Sequence, residues 1–305
     1  MKKLIYSLML LMLTFAFVNK GYSENGCSVM ALTSLAEGTN VTFTSPYTNN
    51  PQSVFAGAIN ATVDGNVTKV YCIDLNHGVS VPSTNFNDSG YTRPEVAWIL
   101  TNYFPYKAYP YAGSLGTVNK EAAAIQIAIW YFTDNLDYST VTDVAIRDRA
   151  KDIVDAAIAS AGTFQPYSPM TIIPISLVND CSIKDTIKVK VVNELGVGVV
   201  GKTLNITVSA GGSVSPAVVV TGAGGFTPPI VVPKGGANTT VTVTGTLLLP
   251  PGVRFINISA PLTVQQMGNG QLVNGCVTRK LTLTCDTTSS GGSGGVETNY
   301  NMAEA

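Results

Sequence analysis

The first residue whose setting suggests chemistry is Gln126, a single amide inside the otherwise apolar run of residues 121–132. Apolar residues fall on every side of this run, which predicts a helix enclosed by its own domain. A buried amide is costly unless it has partners. Side chains on a helix lean toward its N-terminus, so we expect Gln126 beside Ala122 and Ala123, with Trp130 one turn later. The run therefore predicts a small, dry pocket around one carboxamide.

A cysteine supplies the group that could react with this amide. Cys72 lies near the end of residues 67–74, whose alternation predicts a β-strand. A thiolate is a strong nucleophile, and an amide carbonyl held beside it can be attacked with loss of ammonia, which leaves a thioester. Rigid elements would supply the proximity that such a reaction needs. Asp74 follows closely and either assists proton transfer or caps the next turn.

Three blocks in a fixed order carry a family resemblance: Tyr-Cys-Ile-Asp at 71–74, Trp-Ile-Leu to Phe-Pro at 98–105, and Ala-Ala-Ile-Gln-Ile-Ala-Ile-Trp-Tyr-Phe at 123–132. Together they resemble the thioester domain of bacterial surface adhesins, the TQxA family. The resemblance implies that Cys72 and Gln126 form the internal thioester. Ile125 stands where the family often has threonine, and so a hydroxyl that could orient the glutamine carbonyl is missing.

The resemblance implies a covalent adhesin. A lysine amine on a target ligand, such as a host or neighbouring-cell surface protein, would displace the sulfur and leave an isopeptide bond. The device would react once, without catalytic turnover, cofactor or metal, so we do not expect an enzyme. Water would compete with the amine, and we expect an apolar cover from Tyr71, Trp130, Tyr131 and Phe132.

Two other functions use the same residues. In the first alternative the chain is a non-covalent binding or structural surface module, and Cys72 and Gln126 only pack. In the second it is a thiol hydrolase that depends on His77, the only histidine. Sensitivity to methylamine would separate a thioester from a packing role, and turnover would separate the hydrolase from both. Residues 134–137 hold two aspartates, too few for a calcium loop.

The N-terminus and the composition indicate export. Residues 1–23 have a basic start, an apolar core too short to span a bilayer, and small residues at the expected cleavage site, which predicts a signal peptide. No later stretch predicts a membrane span. Charged residues make up 12% of the chain and the net charge is −1, so we expect no nucleic-acid partner. The predicted location is secreted or on a bacterial cell surface.

Cysteine counting agrees with this interpretation. An odd number of cysteines in an exported protein, here five, leaves one thiol to explain, and a thioester at Cys72 explains it. The other four allow three pairings. We favour Cys27 with Cys181, which would join the ends of the first domain, and Cys276 with Cys285.

The pattern of elements predicts two domains. Residues 24–181 should form an α+β thioester domain, a β-sandwich or barrel with a helical subdomain. Residues 182–286 show only strand patterns separated by Gly and Pro, which predicts an all-β immunoglobulin-like sandwich. In that stalk Lys188, Lys190 and Lys202 are candidates for an internal cross-link, although ordinary exposed lysines fit as well. Residues 287–305 form a Gly/Ser-rich linker and tail.

Start and stop signals place the helices of the first domain. Pro94 begins one helix and Pro105 stops it. Asn119 is the expected N-cap of the glutamine helix. A further helix is predicted over 139–161, with Ile158 on its buried side.

Overall fold

The computed structural model describes residues 26–178, 180–209, 214–234 and 238–284. The predicted signal peptide, residues 1–23, and the predicted tail, residues 287–305, lie outside these described residues. The α-helices are α1 (Pro94–Asn102), α2 (Val118–Asp134) and α3 (Val144–Ser160). The strands are β1 (Val29–Thr44), β2 (Pro51–Val63), β3 (Asn66–Cys72), β4 (Ser83–Tyr91), β5 (Met170–Ser176), β6 (Asp185–Val191), β7 (Thr203–Val208), β8 (Val218–Val220), β9 (Ile230–Val232), β10 (Thr239–Leu249), β11 (Val253–Asn257), β12 (Met267–Asn269) and β13 (Val273–Leu283).

Six antiparallel strands close into a barrel in the order β1-β2-β3-β12-β11-β4. The long β1–β2 hairpin shifts register twice, and the second shift ends where Gly38 faces Gly57. A Cβ on Gly38 would lie 2.5 Å from the carbonyl oxygen of Ala56, so only glycine permits this close approach. Such irregularities bend a strand and help a sheet to close. The predicted barrel with accompanying helices is confirmed.

The glutamine helix is enclosed, as predicted. α2 packs against β1, β2 and α3, and every residue in 121–130 is buried. Its N-cap is not Asn119, as predicted, but Thr117, whose side chain accepts a hydrogen bond from the backbone N–H of Lys120. The helix therefore starts earlier, and Asn119 instead accepts a hydrogen bond from the backbone N–H of Gly38 at 3.4 Å.

The predicted bounds are right for α1 but wrong for α3. α1 begins at Pro94 and ends before Pro105, as predicted. The segment predicted as one helix over 139–161 splits into a 3₁₀ turn, Tyr138–Thr140, and α3. Asp143 caps α3, because its carboxylate accepts from the Ile146 N–H at 3.1 Å. Ile158, predicted to be buried, is 59% exposed.

Two further antiparallel sheets are built mainly from the second half of the chain. Their strand orders are β13-β10-β7-β8 and β5-β6-β9. β6 alternates strictly, with Ile187, Val189 and Val191 buried, so its lysines point away from the core. One of them, Lys190, places its ammonium group 5.2 Å from the centre of the Phe226 ring. These strands agree with the all-β prediction for this part of the chain.

The boundary predicted at residue 181 does not divide the strands as expected. β11 and β12 belong to the second half of the sequence, yet both complete the barrel, where β12 pairs with β3 and β11 with β4. β13 is also joined to the barrel side, since the Asp64 carboxylate accepts from the Cys276 N–H at 2.8 Å and the Asn66 side chain donates to the Asn274 carbonyl at 3.0 Å. The first structural unit therefore needs residues far beyond 181.

The disulfide pairing differs from the predicted one. Cys27 bonds to Cys276, 249 residues away, so the predicted pairs of Cys27 with Cys181 and Cys276 with Cys285 are wrong. Cys181 is also disulfide-bonded, and Cys285 lies outside the described residues. Cys72 is free and buried. The disulfide between Cys27 and Cys276 joins the segment that precedes β1 to strand β13.

Removing this bond should destabilise the protein. A Cys27→Ser and Cys276→Ser double variant is expected to lose about 2–5 kcal/mol of the free energy of unfolding, as is typical for a native disulfide. Urea unfolding without reductant measures the loss. Thr246→Ser, opposite Cys276 in the β10–β13 ladder, is the control and should change stability by less than about 0.5 kcal/mol. An unchanged unfolding midpoint in the double variant would contradict a structural role for the bond.

Candidate functional site

The site is built where strand β3 ends beside the middle of helix α2. Cys72 is the last residue of β3, and Gln126 lies on the side of α2 that faces it. The two residues are 3% and 1% exposed. The Gln126 side-chain amide makes two hydrogen bonds to the backbone of Cys72: Oε1 accepts from the N–H at 3.1 Å, and Nε2 donates to the carbonyl at 2.7 Å.

These two bonds have a local cause in the sheet. The β2–β3 ladder ends at the pair formed by Ala58 and Tyr71, one residue before Cys72. A buried backbone N–H and C=O must find partners, and the amide of Gln126 provides both where the ladder stops. The arrangement fixes the orientation of the amide, so its carbonyl carbon lies in a defined place next to the cysteine.

The Cys72 sulfur has polar contacts on more than one side. The Trp130 indole Nε1–H and the Asp74 backbone N–H each point to Sγ at 3.4 Å, and the Asp74 carbonyl accepts from the thiol at 3.1 Å. Burial raises the pKa of the Cys72 thiol well above its ordinary value, and the hydrogen bonds with Asp74 and Trp130 oppose this only in part. The thiol is therefore protonated at neutral pH, and two N–H donors are positioned to stabilise a developing thiolate.

The Asp74 carboxylate does not contact the sulfur. It pairs with the His77 ring, whose Nδ1 lies 2.8 Å from Oδ2 and 3.0 Å from Oδ1. The backbone of Asp74 is thus the part that surrounds Sγ, while its side chain faces the turn. The predicted proton transfer by the Asp74 carboxylate is therefore not supported by a hydrogen bond between that carboxylate and the sulfur.

The loop that follows Cys72 is fixed by Asp134, at the end of α2. Asp134 Oδ1 accepts from the Leu75 backbone N–H at 3.0 Å and from the Tyr47 hydroxyl at 2.6 Å, and Oδ2 accepts from the Thr133 hydroxyl at 2.6 Å. Burial and then the hydrogen bond to Asp134 raise the pKa of Tyr47 above its ordinary value. Neither residue was expected in this role, because Tyr47 and Asp134 are 87 positions apart and no local pattern links them.

The residues predicted to cover the Cys72–Gln126 pair have different positions and contacts. Trp130 is 2% exposed, covers the sulfur and packs against Phe43, with ring centres 6.0 Å apart. Tyr71 is fully buried, but its hydroxyl donates to the Phe104 carbonyl at 3.2 Å. Successive side chains on a strand point to opposite faces, so Tyr71 supports β3 from the face opposite Cys72. The ring of Tyr131 packs against Phe132, 5.0 Å away.

The alanines predicted to lie beside Gln126 are small and enclosed. Ala122 and Ala123 are both fully buried. Small side chains at these two positions are what we expect beside a buried amide, because a closely packed interior has no spare room for a larger neighbour.

A buried ion pair holds the N-terminal half of α2. The Glu121 carboxylate is fully buried and accepts from Arg149 Nη2 at 2.8 Å, from the Tyr111 hydroxyl at 2.7 Å and from the Leu115 N–H at 2.9 Å. The Arg149 guanidinium also lies 5.4 Å from the centre of the Tyr103 ring. The sequence alone does not indicate this cluster, because Arg149 and Tyr111 come from separate elements.

Neither a metal-binding cluster nor a membrane-spanning helix occurs within the described ranges. No group of three or more His, Cys, Asp or Glu residues is arranged there to hold a metal ion. No helix in the same part of the chain has the length and apolar character to cross a membrane.

Comparison with known families identifies one segment. Residues 69–163 match the family model described as the thioester domain. This segment includes the end of β3, the loop that contacts the sulfur, and helices α1 to α3. The predicted thioester domain is thereby confirmed over this segment. No curated protein matches the chain.

Solved structures that match this chain include two proteins described as TIE proteins. The thioester domain of Enterococcus faecium TIE86 is 13% identical, with 85% of this chain and 97% of that one covered and a TM-score of 0.42. The Bacillus anthracis TIE protein is 14% identical, with 84% and 48% covered and a TM-score of 0.42. A pilus-presented adhesin, Spy0125 (Cpa), in its Cys426Ala mutant is 12% identical, with 87% and 77% covered and a TM-score of 0.31.

Proposed function

Taking residues 69–163 as a thioester domain, we propose that Cys72 and Gln126 form an internal thioester that acylates an amine on a target molecule. The observation that carries the proposal is the pair of hydrogen bonds that hold the Gln126 amide against the Cys72 backbone in a buried site. The same two bonds also hold the amide carbonyl beside a buried free thiol, which is the arrangement that thioester formation requires.

The geometry supplies a path for bond formation. The Cys72 sulfur attacks Cδ of Gln126, and negative charge develops on Oε1, which already accepts from the Cys72 N–H at 3.1 Å. A fixed donor at a developing oxyanion is a strong source of rate enhancement. The C–N bond breaks as the thiol proton passes to the nitrogen, so ammonia leaves and a C–S bond remains. No net charge has to be left in the buried site.

Aminolysis is the same reaction in reverse with a different amine. The incoming nitrogen takes the place of Nε2, where the Cys72 carbonyl accepts at 2.7 Å. A C–N bond forms to Cδ, the C–S bond breaks, and the proton lost by the amine ends on the sulfur. The N–H groups of Trp130 and Asp74, each 3.4 Å from Sγ, stabilise the sulfur as it leaves.

The product is a stable amide, so the site reacts once and the protein is not an enzyme in the sense of turnover. The partner is an amine-bearing ligand, such as a lysine side chain on a host or neighbouring-cell surface protein. No cofactor takes part. Residues 1–23 would direct export, and the chain would act as a secreted or surface-displayed adhesin of the TQxA type. The sheets β13-β10-β7-β8 and β5-β6-β9 would serve as its immunoglobulin-like stalk.

Methylamine tests the proposal. The wild-type protein is expected to gain the mass of one methylamine over its thioester form, with the modification located at Gln126 by peptide mapping and with a new free thiol at Cys72. Cys72→Ala is the control and should gain nothing. If the wild type takes up no methylamine and releases no thiol, the non-covalent surface module replaces the covalent adhesin. Continued release of product from an added ester would favour the thiol hydrolase instead.

Trp130 offers a quantitative test of the contact with the sulfur. Trp130→Phe keeps an aromatic cover but removes the N–H donor to Sγ, which lies at 3.4 Å. A hydrogen bond to a developing charge contributes about 1.5–3 kcal/mol, so methylamine uptake should slow by about 10- to 100-fold. Trp98→Phe on α1 is the matched control, and its uptake rate should stay within about twofold of the wild type, because Trp98 packs against Tyr103 and not the sulfur. Equal rates in both variants would remove Trp130 from the mechanism.

A further inference from the structure

A histidine and an aspartate form a hydrogen-bonded pair next to the reactive cysteine. His77 Nδ1 lies 2.8 Å and 3.0 Å from the two carboxylate oxygens of Asp74. The backbone N–H and carbonyl of the same aspartate contact Cys72 Sγ at 3.4 Å and 3.1 Å. The two residues that separate Asp74 from His77 bring the ring back toward the aspartate, so the pair belongs to the loop that surrounds the sulfur.

The carboxylate determines which ring nitrogen can act. A carboxylate only accepts hydrogen bonds, so Nδ1 of His77 carries the hydrogen that it donates to Asp74. In the neutral ring the lone pair is then on Nε2. Nε2 makes no hydrogen bond within the part of the chain that the structure describes. The His77 side chain is 32% exposed and that of Asp74 is 12% exposed, so an oriented basic nitrogen lies on a partly exposed loop whose backbone contacts the buried sulfur.

The loop that carries the pair is itself fixed. Asp134, on α2, holds the Leu75 backbone N–H at 3.0 Å, and Tyr47, from the β1–β2 connection, binds the same carboxylate at 2.6 Å. The charged or titratable groups around His77 are therefore Asp74 on its own turn, Asp134 from the helix, Tyr47 from the hairpin and the buried Cys72. None of these groups is a cation.

A base is needed because amines in water are mostly protonated at neutral pH. An ammonium group has no lone pair with which to attack Cδ of Gln126, and the buried site around Gln126, which is 1% exposed, disfavours a charge. The proton must be removed before the nitrogen enters. A base that is fixed close to the site can remove the proton where the amine reacts, which is the advantage of general base catalysis.

Building on the thioester proposed above, we propose that His77, oriented by Asp74, takes the proton from the incoming ammonium of the target. Nε2 accepts this proton, the neutral amine attacks Cδ of Gln126, and the C–S bond breaks. As the amide forms, the nitrogen loses a second proton, which ends on the sulfur so that Cys72 becomes a thiol. The imidazolium releases the first proton to solvent, so both protons lost by the ammonium are accounted for and no other reactant is required. His77 thus acts as the base in acylation, and replacing it should leave the fold intact.

The test follows methylamine uptake by the full chain as a function of pH, with rates expressed per concentration of methylammonium, the species from which His77 takes the proton. The wild-type rate constant should pass through an inflection between about pH 5 and 8, where histidines titrate. His77→Gln should lose that inflection and react about 100-fold more slowly above it, the usual contribution of a general base. Asn76→Gln, the exposed neighbour, is the control and should behave as the wild type.

Two further readouts separate a base from a structural residue. Asp74→Asn removes the carboxylate that orients Nδ1 of His77, so uptake should slow while the intact mass still shows the thioester. Free imidazole added to His77→Ala should restore part of the lost rate, which it cannot do for a purely structural defect.

The result that overturns the inference is an unchanged rate and pH profile in His77→Gln with the thioester present. That outcome leaves the proposed function intact, because the intact mass of the variant would still lack one ammonia. If neither the wild type nor the variant lacks ammonia, the proposed function fails, and the role of His77 fails with it. The mass and the rate therefore distinguish the two failures.

Discussion

Gln126→Asn is expected to abolish amine acylation while the protein stays folded. The substitution keeps a side-chain amide but shortens it by one methylene, so the carbonyl carbon can no longer lie beside Cys72 with both backbone bonds of 3.1 Å and 2.7 Å in place. Misplacement of a reacting group by about 1 Å can cost about 100-fold in rate. We expect no ammonia loss and no methylamine uptake, both measured by intact mass, after incubation times that complete the wild-type reaction.

The fold of this variant is checked separately. Its thermal unfolding should remain cooperative, with a loss of about 1–3 kcal/mol for the buried groups left without full hydrogen bonding. Gln52→Asn, at a half-buried position on β2, is the matched control and should react normally. Uptake of methylamine by Gln126→Asn at the wild-type rate would show that another residue supplies the acyl group.

The second large effect is expected at the buried ion pair of α2. Arg149→Met should destabilise the protein by about 3–5 kcal/mol, because it leaves the Glu121 carboxylate buried without its cation. Glu121 is fully buried and Arg149 Nη2 lies 2.8 Å from its Oε1. Such a loss is a large part of the stability of a typical domain, which is about 5–15 kcal/mol. Urea unfolding gives the value directly.

Two comparisons make this second result specific. Arg147→Met on the same helix removes an exposed arginine paired with Asp148 at 3.1 Å, and exposed pairs contribute about 0–1 kcal/mol. Adding Glu121→Gln to Arg149→Met removes the unpaired charge, so the double variant should be more stable than Arg149→Met alone. A cost below about 1 kcal/mol for Arg149→Met would mean that the pair does not hold α2.

Local patterns were sufficient to predict the elements that carry the reactive pair. The apolar run around Gln126 has no polar face, so an enclosed helix was the direct interpretation, and Trp130 follows from the four-residue spacing of one helical turn. The alternation that ends at Cys72 predicted β3. These patterns did not predict the two hydrogen bonds between the Gln126 amide and the Cys72 backbone, because those bonds depend on where the β2–β3 ladder stops.

Contacts between distant segments were the part that could not be predicted. Tyr47 and Asp134 meet although 87 residues separate them, and nothing in either local sequence indicates the other. The same holds for β11 and β12, whose sequences predict strands but not the sheet they join. The disulfide prediction was wrong for this reason. Cys27 and Cys181 lie at the ends of the predicted first domain, but the chain returns to the barrel and brings Cys276 to Cys27.

The intact mass of the exported chain tests the central claim most directly. The whole chain is required rather than residues 24–181, because β11, β12 and Cys276 complete the barrel and its disulfide. After allowance for disulfide hydrogens, the wild type should be lighter than its calculated mass by one ammonia, and Cys72→Ala should have its full calculated mass. Full calculated masses for both proteins would contradict the thioester and with it the covalent function.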